Sequence, residues 1–335
     1  MKNDKSALPY LSRNADWQAA LDADEVEFRA VMMGTASREE GTREERWSGE
    51  IEENLSGVRP AWIEREEALE LQDGDIAGEI ERRALLLGDT YPFDLDGSRV
   101  AYRPSRSRVY EFCLAVSVAP SLSAGILKGL PVAFEHLVCE ILRLHVGATG
   151  QVMRTGWPRD SSCSLTRAKQ LFAQLHKLSG EWIWQPQGLR PDDPPPTYEK
   201  DLGLDVVAWR PMPDGRIGQL FLLGQCACGK SDWESKWKDI DLEELGFWFR
   251  PATHVTAVRC FCVPFHIGNT ITWEEVSAKA GLSFDRARIS LFAERDPGFL
   301  AERTAKSYSK WVETVASELL TAGSKRKRKG RNSRR

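Results

Sequence analysis

The sequence has no apolar run near the ~18–20 residues that cross a bilayer, and no basic-then-apolar leader follows Met1. Both absences point to a cytoplasmic protein with no membrane partner. Histidine is scarce, at five in 335 residues, and scattered. His136 and His145 share one predicted helix, but no H-x-E, HExxH or HNH-like grouping exists, which disfavours a histidine-metal nuclease. The phrases GILKGLP and CGKSDW lack the glycine spacing of a phosphate-binding loop, which argues against an NTPase. No internal repeat is visible. The seven cysteines are odd in number in a long chain, so they read as reduced thiols rather than a disulfide framework. Cys226 with Cys228, and Cys260 with Cys262, form two C-x-C pairs. Their spacing is not the usual C-x₂₋₄-C of structural zinc. They read as small buried hydrophobes on neighbouring strands, with zinc as the alternative.

What is present is ordinary for a globular chain: 41% hydrophobic and 28% charged residues. The length allows two domains, or one with an added subdomain. The net charge of −3 hides an asymmetry. Residues 325–335 carry eight Lys/Arg and no acid, leaving −11 on the rest. That tail, KRKRKGRNSRR, reads as disordered by composition. An acidic body with a basic tail suits contact with a polyanion, through Lys325, Arg326, Lys327, Arg328 and Lys329.

Residues 1–80 are dense in charge. Trp17, Leu21, Phe28 and Val31 are spaced for an amphipathic helix, as are Ala77, Ile80, Ala84 and Leu87. The charges between them read as solvated faces, and 38–58 as an exposed linker. Gly88 ends the second helix. Asp96-Gly97 supplies the tight turn of a short hairpin over 93–100. YEFCLAVSV, 110–118, reads as a buried helix or strand, with helix favoured because it continues the preceding helical pattern. Residues 127–147 give the clearest helix, with Phe134, Leu137, Val138, Ile141 and Leu142 on one stripe, Pro131 as its first residue and Gly147 as its cap. Residues 151–160 read as a loop, 165–178 as an amphipathic helix, and 181–197 as irregular. A strand follows over 253–264 and a short helix over 274–280. Residues 282–293 read as another helix or the approach to one, and 303–320 as a last amphipathic helix.

The chemistry concentrates in DVVAWRPMPDGRIGQLFLLGQCACGKSDWESKWK, 205–238. Two apolar strands, 204–210 and 218–226, flank a Pro/Asp/Gly turn. An acid at the start of one antiparallel strand and a polar residue at the end of the next meet at one sheet edge, which brings Asp205 beside Gln225. A Mg²⁺ used for phosphodiester hydrolysis wants such hard oxygens and keeps several waters. A nearby lysine orients the attacking water or offsets negative charge. Trp157, Trp182, Trp184, Trp233 and Trp237 flank this stretch, as core residues or as base-stacking surfaces.

The order FE on a helix, GLD before an apolar strand, then apolar strand–GQC resembles the PD-(D/E)xK restriction-endonuclease-like superfamily. It is most similar to the type IV restriction-like branch with Gln at the second-acid position. The resemblance covers roughly 127–245. The phrases LLGDTYPF, VPFHIG and FDRARISLF are similar to companion regions of bacterial phage-defence nucleases. The resemblance implies an α/β fold with a mixed central sheet flanked by helices, and an added helical N-terminal region. The domains would be a helical region over 1–125, a nuclease domain over 126–320 and the basic tail over 321–335. Asp205 would be the principal metal ligand, Gln225 the second-acid position and Glu135 the helix carboxylate completing a Mg²⁺ or Mn²⁺ shell. The substrate would be DNA, and the partners other defence-system proteins. The sequence departs from the pattern at Ala227, where the motif lysine belongs. Lys230 is the nearest substitute, with Lys236 further on as a nucleic-acid contact. The alternative is a domain of this fold that binds nucleic acid without cutting it.

Overall fold

The computed structural model describes residues 7–38, 61–159, 168–185, 202–231, 233–250, 255–295 and 302–332. In chain order the elements are α1 (Ala7–Met33), β1 (Thr35–Ser37), α2 (Ala61–Leu87), β2 (Phe93–Asp96), β3 (Arg99–Tyr102), α3 (Val109–Val118), α4 (Gly129–Val146), β4 (Gln151–Arg154), α5 (Ala168–Ser179) and β5 (Ile183–Trp184). They continue with β6 (Val206–Arg210), β7 (Leu220–Cys226), α6 (Trp233–Lys236), α7 (Leu242–Trp248), β8 (Phe249–Arg250), β9 (Val258–Cys262), α8 (Thr270–Ala280), β10 (Leu282–Phe284), α9 (Arg286–Arg295) and α10 (Glu302–Asn332). The fold is mixed α/β. No helix among the described residues is long and apolar enough to cross a membrane.

The chain forms two compact units. The first comprises Met1–Ser121, Phe265–Trp273 and Arg286–Arg335, and the second Leu122–Pro264 and Glu274–Asp285. Residues 286–320, assigned from sequence to the nuclease domain, therefore group with the helical unit. The cause is packing: α9 and α10 both lie on α3. Every residue of α3 is buried. Tyr308 of α10 stacks on Phe112 at 4.6 Å, and Val312 and Val315 are buried beside it. A small antiparallel sheet in the order β1-β3-β2 completes this unit. Its hairpin turns at Gly97, with φ of 55°, as Asp-Gly predicts.

The second unit holds a five-stranded sheet in the order β10-β9-β7-β6-β4. β4, β6 and β7 run antiparallel in turn, and β7, β9 and β10 run parallel. One face carries Val207, Trp209, Phe221 and Leu223 against Leu171, Phe172 and Leu175 of α5. The other face meets α4. A Cβ at Gly224 would lie 3.2 Å from Leu142 Cδ1, so glycine there lets the helix close on the sheet.

Three expectations are corrected and one left open is resolved. Residues 151–154 are strand β4, paired with β6, not loop. Flanking glycines, arginine, tryptophan and proline hid a four-residue strand whose partner lies far along the chain. Residues 282–284, open between a helix and the approach to one, are strand β10 leading into the helix α9. Helix α4 begins at Gly129, ahead of Pro131, running on from a 3-10 turn over Gly125–Lys128. Finally, α10 runs through Asn332, so the basic tail is helical over most of its length. Lys and Arg are good helix formers when a packed helix precedes them. The predicted linker over 38–58 lies outside the described residues after Arg38, which is itself buried and paired with Glu81 at 2.9 Å.

Candidate active site

The site is built where β4 ends, β6 begins and β7 ends. Glu135 sits two turns into α4, on the edge of the buried stripe that faces the sheet, and is 7% exposed. β4 leads into Thr155 and Gly156. Both backbone N–H groups donate to the Asp205 carbonyl, at 2.7 and 3.0 Å, and the Thr155 hydroxyl donates to the Leu204 carbonyl at 2.6 Å. These bonds fasten the end of β4 to the start of β6.

Asp205 does not follow the alternation of its strand. Val206 pairs with Gly224 in register, yet the Asp205 N–H also donates to the Gly224 carbonyl, at 2.9 Å. Two successive residues thus oppose one, as at a β-bulge, and a bulge re-aims a side chain. The Asp205 carboxylate accepts the Cys226 N–H through Oδ2 at 2.8 Å. Its other oxygen turns toward Gly156.

Glu135 and Asp205 close on that glycine. A Cβ at position 156 would fall 2.4 Å from Glu135 Oε2 and 2.9 Å from Asp205 Oδ1. The close approach of both carboxylates to position 156 therefore requires glycine there. Arg154 supplies the counter-charge, with its Nε 2.7 Å from Glu135 Oε2 and both side chains more than nine-tenths buried. A second guanidinium nitrogen donates to the Pro158 carbonyl at 2.7 Å. Arg154 was read from sequence only as part of a loop. A basic residue just before a glycine that ends a strand was the signal, visible only once β4 is recognised.

Gln225 is buried, and its Oε1 has no hydrogen-bond partner among the described residues. Strand alternation gives it the face of Leu223, with Phe261 as its neighbour in β9. Cys226 takes the opposite face, shared with Gly224 and α4. So the carboxylates have Cys226, rather than Gln225, as their neighbour on β7. Burial first, then Cys262, Asp205 and Glu135, push the Cys226 thiol well above its usual pKa. The raised value favours the thiol over the thiolate, which makes Cys226 a poor nucleophile. Cys113, Cys139, Cys226, Cys228, Cys260 and Cys262 form no disulfide among the described residues.

Ala227 is buried, and its N–H donates to the Cys262 carbonyl at 2.9 Å. Lys230 is exposed in the turn after β7. Lys236 is half-exposed and lies 3.5 Å from Asp239. Lys325, Arg326, Lys327, Arg328 and Lys329 fall on the last turns of α10, where side chains lie outside the described residues. Among the described residues, no group of three or more His, Cys, Asp and Glu side chains is placed to hold a metal. Glu135 and Asp205 form a smaller set of two. Their hard oxygens, meeting at Gly156, fit a Mg²⁺ that retains several waters.

A larger concentration of charge lies in the helical unit. Asp24 and Glu27 of α1, Glu79 and Arg83 of α2 and Arg286 of α9 are all at most 2% exposed. Arg286 is bidentate on Asp24, at 2.8 and 2.6 Å. Arg83 reaches Asp24 at 2.7 Å, Glu27 at 3.0 Å and Glu79 at 2.8 Å. Tyr91 and Tyr110 donate to the two oxygens of Glu27, and His266 lies 2.7 Å from Glu79. Such burial leaves no room for substrate, and the network ties α1, α2 and α9 together. Read from sequence, the charges of residues 1–80, Asp24, Glu27 and Glu79 among them, are solvated faces. Asp24 and Glu27 interleave with Ala23, Val26 and Phe28, which was the available signal.

Compared with known proteins, the chain matches no protein-family model, no curated protein and no solved structure.

Proposed function

We propose that this chain is a metal-dependent nuclease that hydrolyses phosphodiester bonds in DNA, acting as an effector or accessory subunit of a bacterial anti-phage defence system. One observation carries the reading: Glu135 and Asp205, from a helix and the start of a strand far apart in sequence, both close on Gly156. The topology supports it, with α4 followed by three antiparallel strands, then helices and a parallel strand, in a mixed central sheet flanked by helices. The defence role rests on the sequence resemblance.

Glu135 and Asp205 would hold Mg²⁺ or Mn²⁺, which when bound supplies a Lewis acid and an acidified water. The chain's own residues do the rest. The β4–β6 bonds fix Asp205, and the Cys226 N–H orients its carboxylate. Arg154 balances Glu135 and presents a fixed positive charge where a phosphate would arrive. Lys230 supplies a second, flexible cation from the turn after β7.

The test is cleavage of plasmid and oligonucleotide with Mg²⁺ or Mn²⁺ by wild type, Asp205→Ala and Glu135→Gln. Wild type should cut and both variants should lose at least a hundredfold in rate. Cutting that persists in Asp205→Ala would overturn the assignment.

A second reading is a nucleic-acid-binding subunit of the same fold that does not cut. Buried Ala227 at the motif-lysine position favours it, as does the guanidinium already pairing with Glu135. It predicts tight DNA binding with no cleavage under any divalent cation.

A further inference from the structure

Trp157 directly follows the glycine on which the two carboxylates close, and its side chain is 45% exposed. Exposing that much of an indole forgoes hydrophobic stabilisation that a polar residue would not need. The loop carrying it is held in place. Thr155 and Gly156 are bonded to the Asp205 carbonyl, and Arg154 bridges Glu135 to the Pro158 carbonyl. Trp157 is thus fixed between a residue bonded to Asp205 and one bonded through Arg154 to Glu135. The Arg159 guanidinium lies 5.5 Å from the centre of its ring.

A phosphodiester at the carboxylate pair has its nucleobases one sugar away on either side. A rigid, half-exposed aromatic ring with an arginine beside it offers such a base a stacking face and its backbone a charge. Bases inside a duplex already have both faces stacked, whereas unpaired bases do not. We propose that Trp157, backed by Arg159, is the stacking platform for an unpaired nucleobase next to the phosphate held at Glu135 and Asp205. The preferred ligand of the site is then single-stranded nucleic acid. This rests on the nuclease reading for the position of the phosphate.

The experiment measures binding separately from cutting. Full-length Asp205→Asn protein is titrated with fluorescein-labelled single-stranded DNA, the duplex of the same sequence, and an abasic strand of equal length and charge. The same titrations are made with Trp157→Ala and Trp157→Phe added to that background. Trp157→Ala should weaken single-strand binding about fivefold or more, the effect of losing one stacked base. Trp157→Phe should stay closer to the parent, and the abasic strand should not respond to either change. An equal loss for the abasic strand, or a preference for duplex that survives Trp157→Ala, overturns the proposal. The nuclease reading fails separately, if wild type cuts nothing while base-dependent binding through Trp157 persists. If wild type cuts but Trp157→Ala leaves single-strand binding unchanged, the stacking platform fails and the nuclease stands.

Discussion

Arg154 and Glu135 meet at 2.7 Å, one from the end of β4 and the other from α4, both nearly closed to solvent. The guanidinium is the cation that attends Glu135. The same contact sets a competition, because a metal ligated by Glu135 must share that carboxylate with Arg154. Arg154→Ala should therefore raise Mg²⁺ affinity, read by isothermal titration without DNA. It should also lower stability by about 3–5 kcal/mol, the usual cost of stranding one partner of a buried pair. Weaker Mg²⁺ binding in the variant would show that Arg154 organises the site rather than competing for it.

Gly156 gives a sharper steric test. A methyl group at 156 would sit 2.4 Å from Glu135 Oε2, well inside van der Waals contact. The carboxylates must then part or the loop must move. Overpacking of this kind costs about 1–3 kcal/mol. Gly156→Ala should keep the fold, seen as a cooperative melt at a somewhat lower temperature, and lose at least tenfold in cleavage. Wild-type rates in that variant would mean the two carboxylates do not act together.

The helical unit makes an acid-stability prediction. Burial alone would raise the Asp24 pKa, but Arg286 and Arg83 outweigh it and hold the carboxyl down at about 2, from 3.8. Glu79 is likewise resisted by burial and drawn far below its usual 4.5 by Arg83 and His266. A carboxylate depressed in the folded state stabilises fully above its unfolded pKa and loses that contribution as pH falls toward its folded value. The unit should be insensitive to these groups above pH 5 and lose stability progressively from about 4.5 downward. Denaturant melts by circular dichroism between pH 6 and 2 check this. Asp24→Ala should cost about 3–5 kcal/mol at pH 7, because two buried guanidiniums lose a partner. It should also flatten the acid dependence. An acid profile unchanged by that substitution would remove Asp24 from the account.

Sequence patterning carried the second unit's hairpin well, because strands β6 and β7 are apolar runs buried on both faces and their turn is punctuated by Pro, Asp and Gly. It carried α4 for the same reason, with one unbroken apolar stripe. Asp205 was legible as a charge ahead of an apolar run, and Glu135 through its place on that stripe. The direction of the Asp205 side chain was not legible. It depends on a bulge against Gly224, a property of pairing rather than of local sequence. The face taken by Gln225 was lost with it, since a shift of one residue in pairing exchanges the two faces of a strand. β4 was missed because four residues between glycines carry too little period to read. The ionic core around Arg83 was missed because charge in an amphipathic pattern reads as solvent-facing unless its partners, here α1 and α9, are known.

Lys230 tests how far a relocated lysine can serve. It is exposed in the turn after β7, while Arg154 already stands at the carboxylates. An exposed, flexible side chain loses rotamer entropy whenever it is recruited. Lys230→Ala should therefore reduce cleavage less than tenfold, while Asp205→Ala abolishes it, measured in single turnover with saturating Mg²⁺. A loss on Lys230→Ala matching that of Asp205→Ala would make Lys230 the essential cation.

The basic tail gives the last prediction. The eight positive charges of residues 325–335 contrast with −11 on the remainder. Each phosphate neutralised by such a charge adds about 0.7 to the slope of log affinity against log salt on single strands, and about 0.9 on duplex. Removing 325–335 should therefore weaken DNA binding at low salt by tenfold or more and flatten the salt slope by several units. The loss should be equal for all sequences, since phosphate contacts carry no base information. Cleavage per bound complex should be unchanged, because Glu135, Asp205 and Arg154 all lie in the other unit. Fluorescence anisotropy from 50 to 300 mM salt, with single-turnover cleavage alongside, separates the two effects. A shortened chain that binds with an unaltered salt slope would mean the tail does not touch the nucleic acid.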